Sequence, residues 1–134
     1  MATEVAAPAI DAALVRALAE IVGGRRVLVR ESELVTYASD GLPSYHHQPA
    51  LAVFPGTRDE VVRVVRALAE RGVPFVPRGA GTGLSGGALA QGTVVIGLNR
   101  LKRIIAIDAE NRLAVVEPGV VNVALSRAAG AFGL

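Results

Sequence analysis

Between Arg78 and Gly87 the chain reads Arg78-Gly79-Ala80-Gly81-Thr82-Gly83-Leu84-Ser85-Gly86-Gly87, five glycines in ten residues. Glycine loses more backbone freedom on folding than any other residue, so this density needs a physical reason. Two reasons fit. Glycine reaches positive φ, which lets successive N–H groups converge on an anion. Without a Cβ, it also lets the main chain lie directly against a phosphate. Thr82 and Ser85 add hydroxyl donors, and Arg78 adds a charge expected at the loop mouth. The competing reading is a plain solvent loop of small residues. Short apolar strands pin both ends, and the glycines alternate with small and hydroxyl residues instead of forming a Gly/Ser tract. Both features favour phosphate or diphosphate binding.

Gly81-Thr82-Gly83-Leu84-Ser85-Gly86 matches the G-x-G-x-x-G spacing of dinucleotide folds. That fingerprint needs a helix opening at the loop and crossing back to a parallel strand. Only Gly87 to Gly92 separates the loop from the next strand at Thr93, so no adequate helix fits and a Rossmann domain is not expected. No Gly-Lys-Ser/Thr follows, which excludes a P-loop. Main-chain amides must do the holding.

The flanking elements follow from apolar periodicity. Ile10, Leu14, Leu18, Ile21 and Val22 predict a helix over 10–22, ended by Gly23-Gly24. Val27-Leu28-Val29 suits a short strand and Ser32–Ala38 a short helix. Ser39–Pro49 reads as a loop. Leu51-Ala52-Val53-Phe54 suits a strand buried on both faces. Thr57 and Glu60 have the spacing of a capping box. Val61, Val64, Val65 and Leu68 then form one helix face, which Gly72 ends. With Phe75-Val76 as the next strand, this makes a βαβ unit. Thr93–Leu98 is strand-like, and Ile104–Ile107 with Leu113–Val116 is a hairpin. Pro118-Gly119 breaks the chain before a helix over 121–131. Residues 1–9 are expected to be disordered. The fold class is α+β or α/β, with a small mixed sheet, in one domain over 134 residues.

Composition excludes several functions. The chain has no cysteine, so disulfide scaffolds, thiolate clusters and cysteine nucleophiles are out. Thirteen of the fourteen basic residues are Arg, scattered among twelve acids with a net charge of +2 and 4% aromatics. That is not the clustered stripe of a nucleic-acid binder. No apolar run reaches the ~20 residues of a membrane span, and no secretory signal is visible, so a cytoplasmic protein is expected. His46 and His47 are adjacent with no third ligand, so they read as surface histidines. Glu31, Glu33, Glu60 and Glu70 read as solvated helix faces.

The decapeptide at Arg78–Gly87 resembles the pyrophosphate loop of FAD-linked oxidases of the vanillyl-alcohol oxidase and p-cresol methylhydroxylase (PCMH) type. Within them it is most similar to the branch of glycolate oxidase D subunits and FAD-dependent D-lactate dehydrogenases. Asp40-Gly41, Phe54-Pro55, Asn99-Arg100 and Glu117-Pro118-Gly119 fit the same pattern in order and spacing. The resemblance implies the first lobe of a two-lobed FAD-binding domain, with Pro77, Arg78, Gly79, Ala80, Gly81, Thr82 and Gly83 at the pyrophosphate. Ser85 and Gly87 would lie further along the loop, and Pro118, Gly119 and Val120 would approach the adenosine or ribityl side. For Pro118-Gly119 an ordinary strand-ending turn stays open, and for Asp40 an Asx turn is preferred. Some relatives carry a flavin-linking histidine where this chain has Thr82, so FAD is expected to be non-covalent. The implied activity is oxidation of a 2-hydroxy acid, of glycolate or D-lactate type, to a 2-oxo acid. The second lobe and the substrate domain are expected to lie outside these residues, leaving the chain alone inactive. The alternatives are a non-catalytic assembly module that completes a partner chain or forms a homo-oligomer, and a nucleotide-binding domain unrelated to flavin.

Overall fold

The computed structural model describes residues 10–134, so the disorder expected for residues 1–9 falls outside the described residues. Asp11 opens the first helix. Its carboxylate accepts the Leu14 amide at 2.7 Å, so α1 (Ala12–Val22) starts after this cap rather than at Ile10. A 3-10 turn (Gly24–Arg26) leads to β1 (Val27–Leu28). The helix expected over Ser32–Ala38 is instead α2 (Glu31–Leu34) followed by a 3-10 turn at Val35–Tyr37. The β-branched pair Val35 and Thr36 sits where the helix tightens.

β2 (Leu51–Val53), α3 (Arg58–Ala69) and β3 (Phe75–Arg78) follow in the expected order. The sheet order is β1-β2-β4-β3, so β4 (Val94–Gly97) lies between the two strands of the βαβ unit. β2, β4 and β3 are parallel, and β1 runs antiparallel to β2. Burial explains the insertion. Val94, Val95 and Ile96 are fully apolar and suit a strand covered on both faces, whereas β3 contains Pro77, which lacks an N–H and belongs at an edge. β3 and β4 are parallel neighbours joined by residues 79–93, and no helix lies in that connection.

Alternate residues of the central strands separate two cores. Leu51, Val53, Val94 and Ile96 pack with Leu14, Leu18 and Val22 of α1 and Val64 and Leu68 of α3. Ala52, Phe54 and Val95 face the other way, against Leu34, Tyr37 and Ala90. The glycine-rich connection therefore closes over the sheet face opposite α1 and α3. β5 (Ile104–Asp108) and β6 (Leu113–Val116) form a separate antiparallel pair with an irregularity between Ile104 and Ala106. α4 (Asn122–Gly130) follows.

One acid departs from expectation. Thr57 does cap α3, its hydroxyl accepting the Glu60 amide at 3.1 Å. Glu60 does not complete a capping box and is not on a solvated face. Its carboxylate accepts the Gly56 amide at 2.6 Å and both Nη1 and Nη2 of Arg26, at 2.7 and 3.0 Å. Glu33 stays on the solvent side, where it forms an exposed ion pair with Arg30.

Candidate functional site

The glycine loop is anchored by strands and braced from behind. At its start, Arg78 O accepts the Leu98 amide at 2.8 Å. At its end, the Gly92 amide donates to Gln48 O at 2.9 Å and the Ala50 amide to Thr93 O at 2.9 Å. The brace is the segment Ser39–Leu42. The Gly41 amide donates to Gly83 O at 2.9 Å, and a Cβ on Gly41 would come within 2.5 Å of Thr82 O. Asp40 forms the expected Asx turn, Oδ1 accepting the Leu42 amide at 2.8 Å. Its other oxygen accepts the Gly86 amide at 3.0 Å, tying the turn to the loop.

These bonds consume the back of the loop and leave its front amides free. Among the described residues, no acceptor meets the amides of Gly79, Ala80, Gly81, Thr82, Gly83, Leu84, Ser85 or Gly87. The hydroxyls of Thr82 and Ser85 belong to exposed residues. Of the five glycines, Gly81 and Gly86 have positive φ, +71° and +76°. Such a run of unpaired amides, held by strands and a brace, is a built set of donors for an anion.

Arg78 corrects the sequence reading in one respect. Its side chain does not bring charge to the loop mouth; the residue is 8% exposed. The guanidinium turns under the loop. Nη2 donates to Ser39 O at 2.8 Å, and Nη1 to Ala88 O and Tyr37 O at 3.3 and 3.4 Å. It also lies over the Tyr37 ring at 5.7 Å. A Cβ on Gly81 would overlap it.

Clefts open on both sides of the loop. One of about 160 Å³ is lined by Gly79 and Ala80 with Tyr37, Phe54 and Asn99, and it adjoins another of about 210 Å³ edged by Arg25 and Arg100. On the far side a cleft of about 530 Å³ is lined by Leu84, Ser85 and Gly86 with Tyr45 and His47. The adjacent pair His46-His47 reads in the sequence as surface histidines. The structure half-buries it beside the loop, where its Nδ1 meets Gln91 Oε1 at 3.2 Å, while His46 is exposed. Local periodicity marks Ser39–Pro49 as a loop, and the bonds of Asp40 and Gly41 to the glycine segment make it the brace.

Pro77 lies exposed on the edge strand beside the loop. Pro118, Gly119 and Val120 line none of these clefts. They form a turn after β6 that packs on the Leu98–Leu101 turn: the Gly119 amide donates to Leu101 O at 2.8 Å, and a Cβ there would come within 2.6 Å of Leu98 O and Leu101 O. Glu117, buried beside them, accepts the Arg103 amide and Nε, each at 2.8 Å. The Arg103 bonds hold its carboxyl below the ordinary carboxylate value, over the opposing effect of burial. This side-chain-to-backbone lock had no signature in the sequence. Among the described residues no group of three or more metal-ligating side chains occurs, and no helix is long and apolar enough to cross a membrane.

Comparison with known proteins agrees with this geometry. Residues 49–134 match the family described as FAD binding domain. The chain is 39% identical over 131 residues to glycolate oxidase subunit GlcD of Escherichia coli K12, covering 96% of this chain and 26% of that protein. It is 34% identical to D-2-hydroxyglutarate dehydrogenase of Stutzerimonas stutzeri, covering 92% of the chain and 27% of that protein. Among solved structures, p-cresol methylhydroxylase with substrate bound superposes with a TM-score of 0.78 at 30% identity, over 91% of this chain and 25% of that one. The 4-ethylphenol oxidase of Gulosibacter chungangensis gives 0.80 at 29% identity, over 91% and 24%. The chain thus spans about a quarter of the length of the curated relatives it matches. Free loop amides suited to a diphosphate, the mixed sheet that carries them and a family match over most of the chain lead to one conclusion: this chain belongs to the FAD-binding domains of PCMH-type flavin oxidoreductases.

Proposed function

We propose that these residues hold the diphosphate of FAD in an oxidoreductase that converts a 2-hydroxy acid to a 2-oxo acid. The observation that carries the reading is the run of unpaired amides from Gly79 to Ser85. Gly79, Ala80, Gly81, Thr82 and Gly83 would contact the diphosphate oxygens, with Ser85 and Gly87 further along and Pro77 flanking. Pro118, Gly119 and Val120 would approach the adenosine or ribityl portion from the second turn. FAD, when bound, supplies two-electron redox chemistry. This chain's own task is to bind and orient it. The relatives named for glycolate and D-2-hydroxyglutarate support the hydroxy-acid class. Thr82 offers no nucleophilic ring nitrogen for linkage, which supports non-covalent FAD. The 134 residues taken alone are proposed to hold FAD weakly and to turn over no hydroxy acid.

Titration of the chain followed by flavin fluorescence tests the reading. FAD should bind more tightly than riboflavin, ADP should compete with it, and acid precipitation should leave the flavin in the supernatant. Equal affinity for FAD and riboflavin would reject the diphosphate site, and flavin carried down with the protein would reject non-covalent binding.

A second reading has its own observation. All four residues of β6 are exposed, Leu113 at 63% and Val115 at 55%, as are Val121, Val123 and Phe132 around α4. Apolar surface on this scale favours association with a companion subunit or a second copy. Light scattering on the eluting chain distinguishes a monomer from an assembly.

A further inference from the structure

We infer that Arg78 is the buried counter-charge of the anion site, a positioning residue that acts through the loop backbone without touching the ligand. The inference rests on the diphosphate reading above. Three other arginines of the chain have acids: Arg26 pairs with Glu60, Arg30 with Glu33 and Arg103 with Glu117. Arg78 is more buried than any of these, yet among the described residues no carboxylate oxygen lies within 4.0 Å of it.

The missing partner is close at hand. Ser39 O is the shortest acceptor of the guanidinium, and Asp40 is the next residue. Asp40 nevertheless places both carboxylate oxygens on the amides of Leu42 and Gly86. Three carbonyl dipoles and the Tyr37 ring partly solvate the cation without neutralising it. A buried charge without a counter-ion is costly, so folded chains pair it or use it. The charge lies directly under Gly81, whose missing side chain is what admits it and whose amide, like its neighbours', has no acceptor. An anion docked on those amides would complete the charge balance. The amides supply direction and the guanidinium supplies net charge, which an array of neutral dipoles does not have.

The test separates charge from mere clamping. Arg78→Lys keeps the charge and loses the fork; Arg78→Gln loses the charge. Neither can reproduce all three carbonyl bonds, so they share the structural damage. Inorganic pyrophosphate is titrated at constant ionic strength and the backbone amide NMR signals are followed. In the wild type, Gly79–Ser85 should shift and saturate. Binding should weaken on the order of tenfold in Arg78→Gln and only about two- to threefold in Arg78→Lys. Wild-type-like affinity in Arg78→Gln, or equal losses in both variants, overturns the inference and leaves Arg78 as a clamp. A wild-type loop that ignores pyrophosphate instead rejects the diphosphate reading, and this inference with it. One measurement needs no variant: the Arg78 Nε–H signal of the wild type should move over the same pyrophosphate range as the loop amides, and an unmoved signal overturns the proposal.

Discussion

Gly81 shows how one residue can set the chemistry of a loop. Its φ of +71° lies in the left-handed region, and the space a Cβ would fill is taken by the Arg78 guanidinium. Both constraints act at the same atom. Gly81→Ala should therefore cost roughly 1–3 kcal/mol, read as a lowered urea midpoint, and should weaken pyrophosphate binding by displacing the guanidinium. Gly79→Ala is the control, because nothing lies within 4 Å of a Cβ there and its φ is not positive. If both substitutions cost the same, close packing under Gly81 is not what makes that position special.

At the scale of elements, the junction between α3 and the turn before β1 depends on Glu60. Burial works to raise its carboxyl, but the Arg26 hydrogen bonds, the Gly56 amide and the Arg26 and Arg100 charges outweigh that and hold it below its ordinary 4.5. A carboxyl that holds its proton less tightly when folded stabilises the fold above that ordinary value, and the benefit drains away as the pH falls through the depressed one. Glu60→Gln should thus be less stable than wild type near neutrality, with the two urea midpoints converging in acid. A constant gap at all pH values would show that the Arg26 pair contributes no charge-dependent stability. Glu33, Asp108 and Glu117 shift in the same direction, so Glu60→Gln should retain part of the acid sensitivity of the wild type.

The whole molecule has two unlike halves. Residues before Leu98 enclose two cores on a four-stranded sheet, whereas β6 and the surroundings of α4 present apolar side chains to solvent. A two-stranded pair is marginal by itself, and the association reading proposed above has a companion subunit or a second copy cover this half. Val115→Lys, at a position already 55% exposed, should reduce self-association in light scattering while leaving the urea midpoint within about 0.5 kcal/mol of wild type. Unchanged association would show that β6 is not part of the contact.

The amino-acid sequence by itself determined the local chemistry. Glycine density marked the loop whose front amides are free, the short Gly87–Gly92 spacing excluded a crossover helix, and Thr57, Gly23 and the apolar runs placed the helices and strands to within a few residues. These are properties of neighbouring residues, and the chain states them directly. Tertiary structure alone decided that β4 sits between β2 and β3, that Asp40-Gly41 braces the loop, and that Glu60 and Glu117 are locks instead of solvated acids. It also turned Arg78 inward. Each of these depends on which distant segment fills the space beside a residue: Arg78 is 39 residues from Ser39, and Asp40 is 46 from Gly86. Side-chain direction and pairing are set by packing across that separation, which local periodicity does not encode.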